Sequence, residues 1–420
     1  MDGCRRRTLL KLAAASGTLG MASTVAGGQR TQTEVTAPDR APPRAYEDFS
    51  VRRVPGEYDS IQAAVTAAAE RDLVLVDPGI YHESVTVSDT PRLTIRGRDR
   101  NEVILDGEFT RRNGVTATVD GVVVENLTTR HYTYNGVYWV GVDGYRGSYL
   151  TAYNNGEYGV YAFDSVNGRF DNSYASGHPD SGFYVGQCQP CRAVLENLIS
   201  EGNSIGYSGT NAGGELVVRD SVWRRNMAGI VPNTLDSEAL APQRGVRIEN
   251  NDVIDNNNEN APTKAIGFPA FGTGINIAGG TDNVVVGNRV RDHSNFGVVL
   301  VPNIDKNLWR PRGNRVRDNQ VDRSGRADLA LGAPAGRDNR FVDNDFVSSR
   351  PDGIQGRGPL GGLRRSVGDP WVTLLLGKGF LQTEVGNYPS GDWRERPQPP
   401  AQPPMPNPEG PPREAVGPTR

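Results

Sequence analysis

From Gly136 onward, apolar and polar residues alternate in short runs that restart at a glycine. The copies read GVYWVGVDGYRGSYL from 136, GVYAFDSVNGRFDNSY from 159, GFYVGQCQPCRAVLEN from 182 and GYSGTNAGGELVVRDS from 206. GIVPNTLDSEAL from 229, GINIAGGTDNVVVGN from 274 and GVVLVPN from 297 follow, at intervals of 23, 23, 24, 23, 45 and 23 residues. The interval of 45 is close to two turns and puts an irregular rung near Asn256 to Pro269. The first and third positions after each glycine are mainly apolar, as in Val137 and Trp139 or Phe183 and Val185, and the position between points the other way. A second apolar run beside an Asn or Asp recurs in each copy, as in VENLTT, RFDNSY and VLENLIS. Units this short cannot bury a face alone but stacked copies can, so the pattern predicts an all-β solenoid, a parallel β-helix with about 23 residues per rung. Asn126, Asn172, Asn197, Asp220 and Asn288 are expected at equivalent turns, their side chains bonding between rungs.

Upstream, YDSIQAAVTAAAERDLVLVDPGIYHESVTV predicts the start of the solenoid. Asp59 or Ser60 caps a short helix whose Ile61, Val65 and Ala68 share one face and cover the first rung. Ile61-Gln62-Ala63-Ala64 followed by Val76-Asp77-Pro78-Gly79-Ile80-Tyr81-His82-Glu83 resembles the entry of right-handed parallel β-helix proteins of the pectate-lyase-like superfamily, over about residues 55 to 350. That resemblance implies the right-handed fold and a family rich in polysaccharide lyases, hydrolases, esterases and binders. None of its catalytic motifs can be carried over, and fold alone does not assign function.

Composition narrows the class. With 51 glycines, 29 prolines and 36% apolar residues, the chain has many turns and narrow strands, and a net charge of -3 leaves no basic excess for nucleic acid. Arg5-Arg6-Arg7-Thr8-Leu9-Leu10-Lys11, a weakly apolar stretch and Thr24-Val25-Ala26 resemble a twin-arginine export signal with its cleavage site. The expected organisation is a signal peptide (1–26), a polar linker (27–50), the β-helix (51–350), a cap or irregular extension (351–393) in which WVTLLLG forms a last strand or cap, and a disordered or extended proline-rich tail (394–420). No later segment has the roughly 18 apolar residues that span a bilayer, so the expected location is secreted or extracytoplasmic, reached through export machinery of the twin-arginine type.

Several columns carry candidate chemistry. The outward position of three consecutive rungs is Tyr138, Tyr161 and Tyr184, a ladder on which sugar rings can stack or which a loop can cover. Glu157 and Asp180 each stand two residues before a strand glycine, either as solvated turn acids or as a pair about one rung apart that shares a proton, holds calcium or acts as acid and nucleophile; His178 lies beside Asp180, and Asp164 beyond Tyr161 at the other end of that strand. Arg146, Arg169 and Arg192 stand ten residues after their glycines, held apart by neighbouring Asp or set to bind an acidic polymer. Cys188 and Cys191 follow a strand and do not open a helix; four histidines and no second CxxC leave zinc short of ligands, so a local disulfide leads over buried thiols and over metal or redox chemistry. No cofactor is firmly implied. The reading is an exported β-helix that binds, and as a lyase or glycoside hydrolase would cleave, an extracellular, acidic polysaccharide. The alternatives are a noncatalytic surface scaffold and an accessory protein of metalloenzyme maturation.

Overall fold

The computed structural model describes residues 45–264, 270–356, 366–381 and 391–415. The expected signal peptide and all but the end of the expected linker lie outside them. The chain winds as a right-handed parallel β-helix, each turn contributing one strand to each of three sheets. Sheet I runs from Val51–Val54 to Arg340–Val342 in 12 strands; sheets II and III, from Gly79–Tyr81 and Val85–Val87 to Asp345–Phe346 and Ser349–Arg350, have 11 each. Val137, Val160, Phe183, Tyr207 and Ile230 pair in register, so the preceding glycines form one column. A Cβ on Gly159 would meet the Gly182 carbonyl oxygen at 2.6 Å, which is why the column admits no side chain.

The period of 45 is a single rung, not two. Ile230 pairs directly with Ile275, and the extra length forms two excursions, residues 234–243 between sheets III and I and 255–272 between sheets II and III. A doubled interval in a repeat can hide an insertion as readily as an extra turn, and the loop composition near Asn256 fits either.

Asparagine ladders bind the corners. Between sheets II and III the side chains of Asn155, His178, Asn203, Asn226, Asn256 and His293 connect rung to rung at 2.8 to 3.2 Å. Between sheets I and II the ladder is Asn251, Asn288, Asn319 and Asn344. The predicted turn column divides here: Asn126, Asn172, Asn197 and Asp220 take positive φ, whereas Asn288 is the ladder residue after Gly287, which takes the left-handed position in its rung.

Helix α1 (Ile61–Ala67) is capped by the Ser60 hydroxyl, which accepts from the Ala63 N–H at 3.1 Å, and buries Ile61, Ala64 and Val65. WVTLLLG is no strand. It opens helix α2 (Pro370–Leu381), whose Val372 and Leu376 pack on Phe296, Val299 and Ala330 and close the outer face of sheet III at its last rungs. Over 391–415 the proline-rich tail runs extended over the solenoid, held by side chains of the first rungs, and Arg413 bridges Ala45. Proline-rich composition excludes a packed core but not a surface ribbon, and the arginines that hold it lie three hundred residues away.

Removing a ladder rung tests this account. Asn226 accepts from the Asn203 N–H and side-chain amide and donates to Ser200 O and Asn256 Oδ1. Asn226→Ala removes these four ladder bonds, leaves the buried Asn203 N–H without its acceptor and is expected to cost about 2 to 4 kcal/mol in urea denaturation.

Candidate functional site

The outer face of sheet III carries the tyrosine column in the expected register, Tyr138 on Tyr161 on Tyr184. Tyr138 and Tyr161 stack at 4.7 Å with planes 8° apart, and Tyr184 meets Tyr161 edge-on at 4.7 Å. The three rings do not form an open platform. Tyr158, one residue before Gly159, stacks on Tyr161 at 4.3 Å, and Glu238 from the 234–243 excursion accepts from the Tyr184 hydroxyl at 3.1 Å. Tyr161 and Tyr184 are left 8% and 1% exposed, and Tyr138 alone is half-buried.

The open end of this face is therefore Tyr138 with the half-buried Val140 and Phe163. Beside it the exposed Arg112 guanidinium lies 4.0 Å over the Tyr134 ring and forms no ion pair among the described residues. Burial pushes the Tyr138 phenol up to about 12; Arg112 opposes the rise, and the Glu157 and Asp164 carboxylates add to it. The hydroxyl stays protonated at neutral pH, a hydrogen-bond donor and no base.

The acidic candidates separate. The Asp180 N–H donates to the Glu157 carbonyl at 3.1 Å, so the two residues occupy neighbouring rungs on one edge of the face. The Glu157 carboxylate pairs with the Lys264 ammonium, whose own backbone N–H donates to Pro179 O at 3.1 Å. Asp164 follows the strand Val160–Phe163, at the opposite edge of the face from Glu157. His178 is no candidate base. It is wholly buried in the corner ladder, accepting at Nε2 from Asn155 and donating from Nδ1 to Asn203 Oδ1, and burial lowers it to about 4. A histidine beside an aspartate looks catalytic in sequence, but here it stands where other rungs place asparagine.

The arginines belong to another face. Arg146 and Arg169 pair in register on sheet I, and both bind Asp171, at 3.1 and 2.8 Å; Arg169 also binds Glu196. Burial would raise the Asp171 carboxyl, yet Arg146, Ser148 and Arg169 hold it below the usual range. Arg192 is not in that column, because Val194 pairs with Arg169; Arg192 sits in the turn before strand Ala193–Glu196, 4.0 Å from Glu215. The intervening CQPC turn sets the partner of Arg169 25 residues on instead of 23 and shifts the count by two. Cys188 and Cys191 form a disulfide in that turn, and the adjoining Gln187 side chain accepts from Ala239 N–H at 2.9 Å, steadying the excursion that carries Glu238.

Arg112, Tyr134, Phe163, Glu238 and Lys264 were not legible as site residues. Lys264 is one of four lysines, a faint signal, but its contact with Glu157 lies 107 residues away. Among the described residues, no three His, Cys, Asp or Glu side chains converge as metal ligands, and no helix is long and apolar enough to cross a membrane.

A family profile described as the right handed beta helix region matches residues 135–303. Similar solved structures include a mannuronan C-5 epimerase A-module of Azotobacter vinelandii, at 14% identity and a TM-score of 0.46, covering 69% of this chain and 92% of that one. An alginate lyase of a Paenibacillus species has 15% identity and a TM-score of 0.42, with 68% and 96% covered. A DFA-IIIase of Arthrobacter chlorophenolicus has 12% identity and a TM-score of 0.45, with 71% and 70% covered. No curated protein matches the sequence.

The buried histidines give the fold a dependence on acid. His178 and His293 fall to about 4 and about 3, below the unfolded value near 6.5, so between these limits the unfolded chain binds more protons. Stability is complete above about pH 6.5 and declines as pH falls, levelling near pH 4 for His178, a loss on the order of 3 kcal/mol. His178→Asn, which restores the ladder residue of neighbouring rungs, is expected to flatten this slope in urea denaturation between about pH 7 and about pH 4.5.

Proposed function

We propose that this chain is an exported protein that binds an extracellular acidic polysaccharide along the outer face of sheet III. The observation that carries the reading is Tyr138, a half-exposed ring held flat by a buried stack, with an arginine close by that forms no ion pair among the described residues. A ring backed in this way gives a sugar face an apolar platform without losing side-chain freedom on binding. Its protonated hydroxyl donates to an acceptor, and Arg112 meets a uronate carboxylate in a charge-assisted bond. The excursions that reach back to Glu157 and Tyr184 line the two edges of the face and favour a ligand lying along the helix axis.

Cleavage is the second reading, and it rests on Glu157 and Asp180 in neighbouring rungs beside the ring stack, about one rung spacing apart. Export rests on the Arg6-Arg7 pair, and the Cys188–Cys191 disulfide suits an oxidising compartment.

Titration calorimetry with polygalacturonate, alginate and a neutral glucan tests the site. Tyr138→Ala is expected to weaken binding by about fivefold or more, near 1 kcal/mol, with little loss of stability. Arg112→Gln weakens the acidic polymers selectively. Tyr161→Ala should instead destabilise the fold by about 3 to 5 kcal/mol. Unchanged affinity in both Tyr138→Ala and Arg112→Gln would leave a noncatalytic scaffold as the better description, while unsaturated products or new reducing ends would identify lyase or hydrolase action. Replacing Arg6 and Arg7 with lysine is expected to retain the precursor inside the cell; secretion at the normal level would exclude the twin-arginine route.

A further inference from the structure

The tail makes a second, unrelated set of contacts. From Arg396 to Met405 every third residue faces the solenoid: 396, 399 and 402 are half-buried and Met405 is buried, while 397, 400 and 403, all proline, are exposed. Three residues per turn is the period of a polyproline II helix. Such a ribbon has no internal hydrogen bonds, and its prolines donate none, so its partners must supply donors for its carbonyls and acceptors only where an N–H remains.

The corner between sheets I and II does this. Asn101 Oδ1 accepts from the Gln402 N–H at 2.8 Å and its amide donates back to Gln402 O at 3.0 Å. Asn126 Oδ1 accepts from the Met405 N–H at 2.8 Å, one ribbon turn further on. Arg100 donates to Pro403 O at 3.3 Å, and Asn154, at the neighbouring corner between sheets II and III, donates to Arg396 O at 2.7 Å. Arg96 donates to the carbonyls of Pro408, Gly410 and Pro411. Arg96 and Glu125 form an ion pair that is 0% exposed on both sides. A fully desolvated arginine whose remaining N–H groups all end on tail carbonyls is a built recognition group.

We propose that this corner is a peptide-binding groove, selective for a proline-rich extended segment with an N–H at the two ribbon positions read by Asn101 and Asn126, and that the chain fills it with its own residues 396–413. The groove reads backbone, so its selectivity lies in where proline is absent as much as in where it is present. Gln402 and Met405 are the positions at which proline would remove a bonded N–H.

The test uses the full chain, folded and then cut at a protease site introduced between α2 and Gly391. The released segment is expected to co-elute with the body in size exclusion at micromolar concentration and to be displaced by excess synthetic peptide of residues 396–413. Peptides carrying Gln402→Pro or Met405→Pro should compete about tenfold less well, since each loses a buried hydrogen bond. Loss of the segment on the column, whether or not the body stays folded, would overturn the proposal. So would equal competition by the unaltered and the proline-substituted peptides.

Discussion

Every feature of this molecule answers to one constraint: parallel strands paired in register set each side chain directly over its equivalent in the next rung, about 4.8 Å away. A residue type is admissible only if it tolerates a neighbour of its own kind or is given a different one. Asparagine satisfies this outright, since its amide donates to the next copy while its oxygen accepts from the previous one. Tyrosine satisfies it by stacking. Arginine does not, and the Arg146 and Arg169 pair persists because Asp171 on the neighbouring column takes a bond from each.

The repeat also explains how one face becomes different from the others. A single rung carries both long excursions, and their side chains reach back toward rungs already formed, Glu238 to Tyr184 and Lys264 to Glu157. The walls of the candidate site are thus built by one late insertion on a floor laid down by regular repeats. This arrangement lets the floor keep its packing while the walls set what the face can hold.

The strands, the glycine column and the stacking of Tyr138, Tyr161 and Tyr184 were legible because they depend on spacings of two and of 23 residues, which a one-dimensional reading preserves. What it misjudged was exposure. Whether Tyr184 is open depends on Glu238, 54 residues on, and whether Arg146 faces a ligand depends on which sheet its strand joins. Arg192 and the 45-residue interval misled for a related reason, since two extra residues in a turn and long loops change the count without changing the rung. His178 shows the opposite limit: its environment is set by the ladder, in which histidine substitutes for asparagine, and nothing local in the sequence marks that equivalence.

The pairing of residues 45 and 46 with 412 and 413 bears on the order in which the protein is made. A solenoid grows rung by rung as it leaves the ribosome, each turn templating the next, so its first rungs are the oldest. Here the groups that complete those rungs, including the carbonyls that cover Arg96, emerge more than three hundred residues later. Those rungs stay uncovered until residues 408–411 arrive, and a nascent chain interrupted before them displays a surface that the folded protein hides.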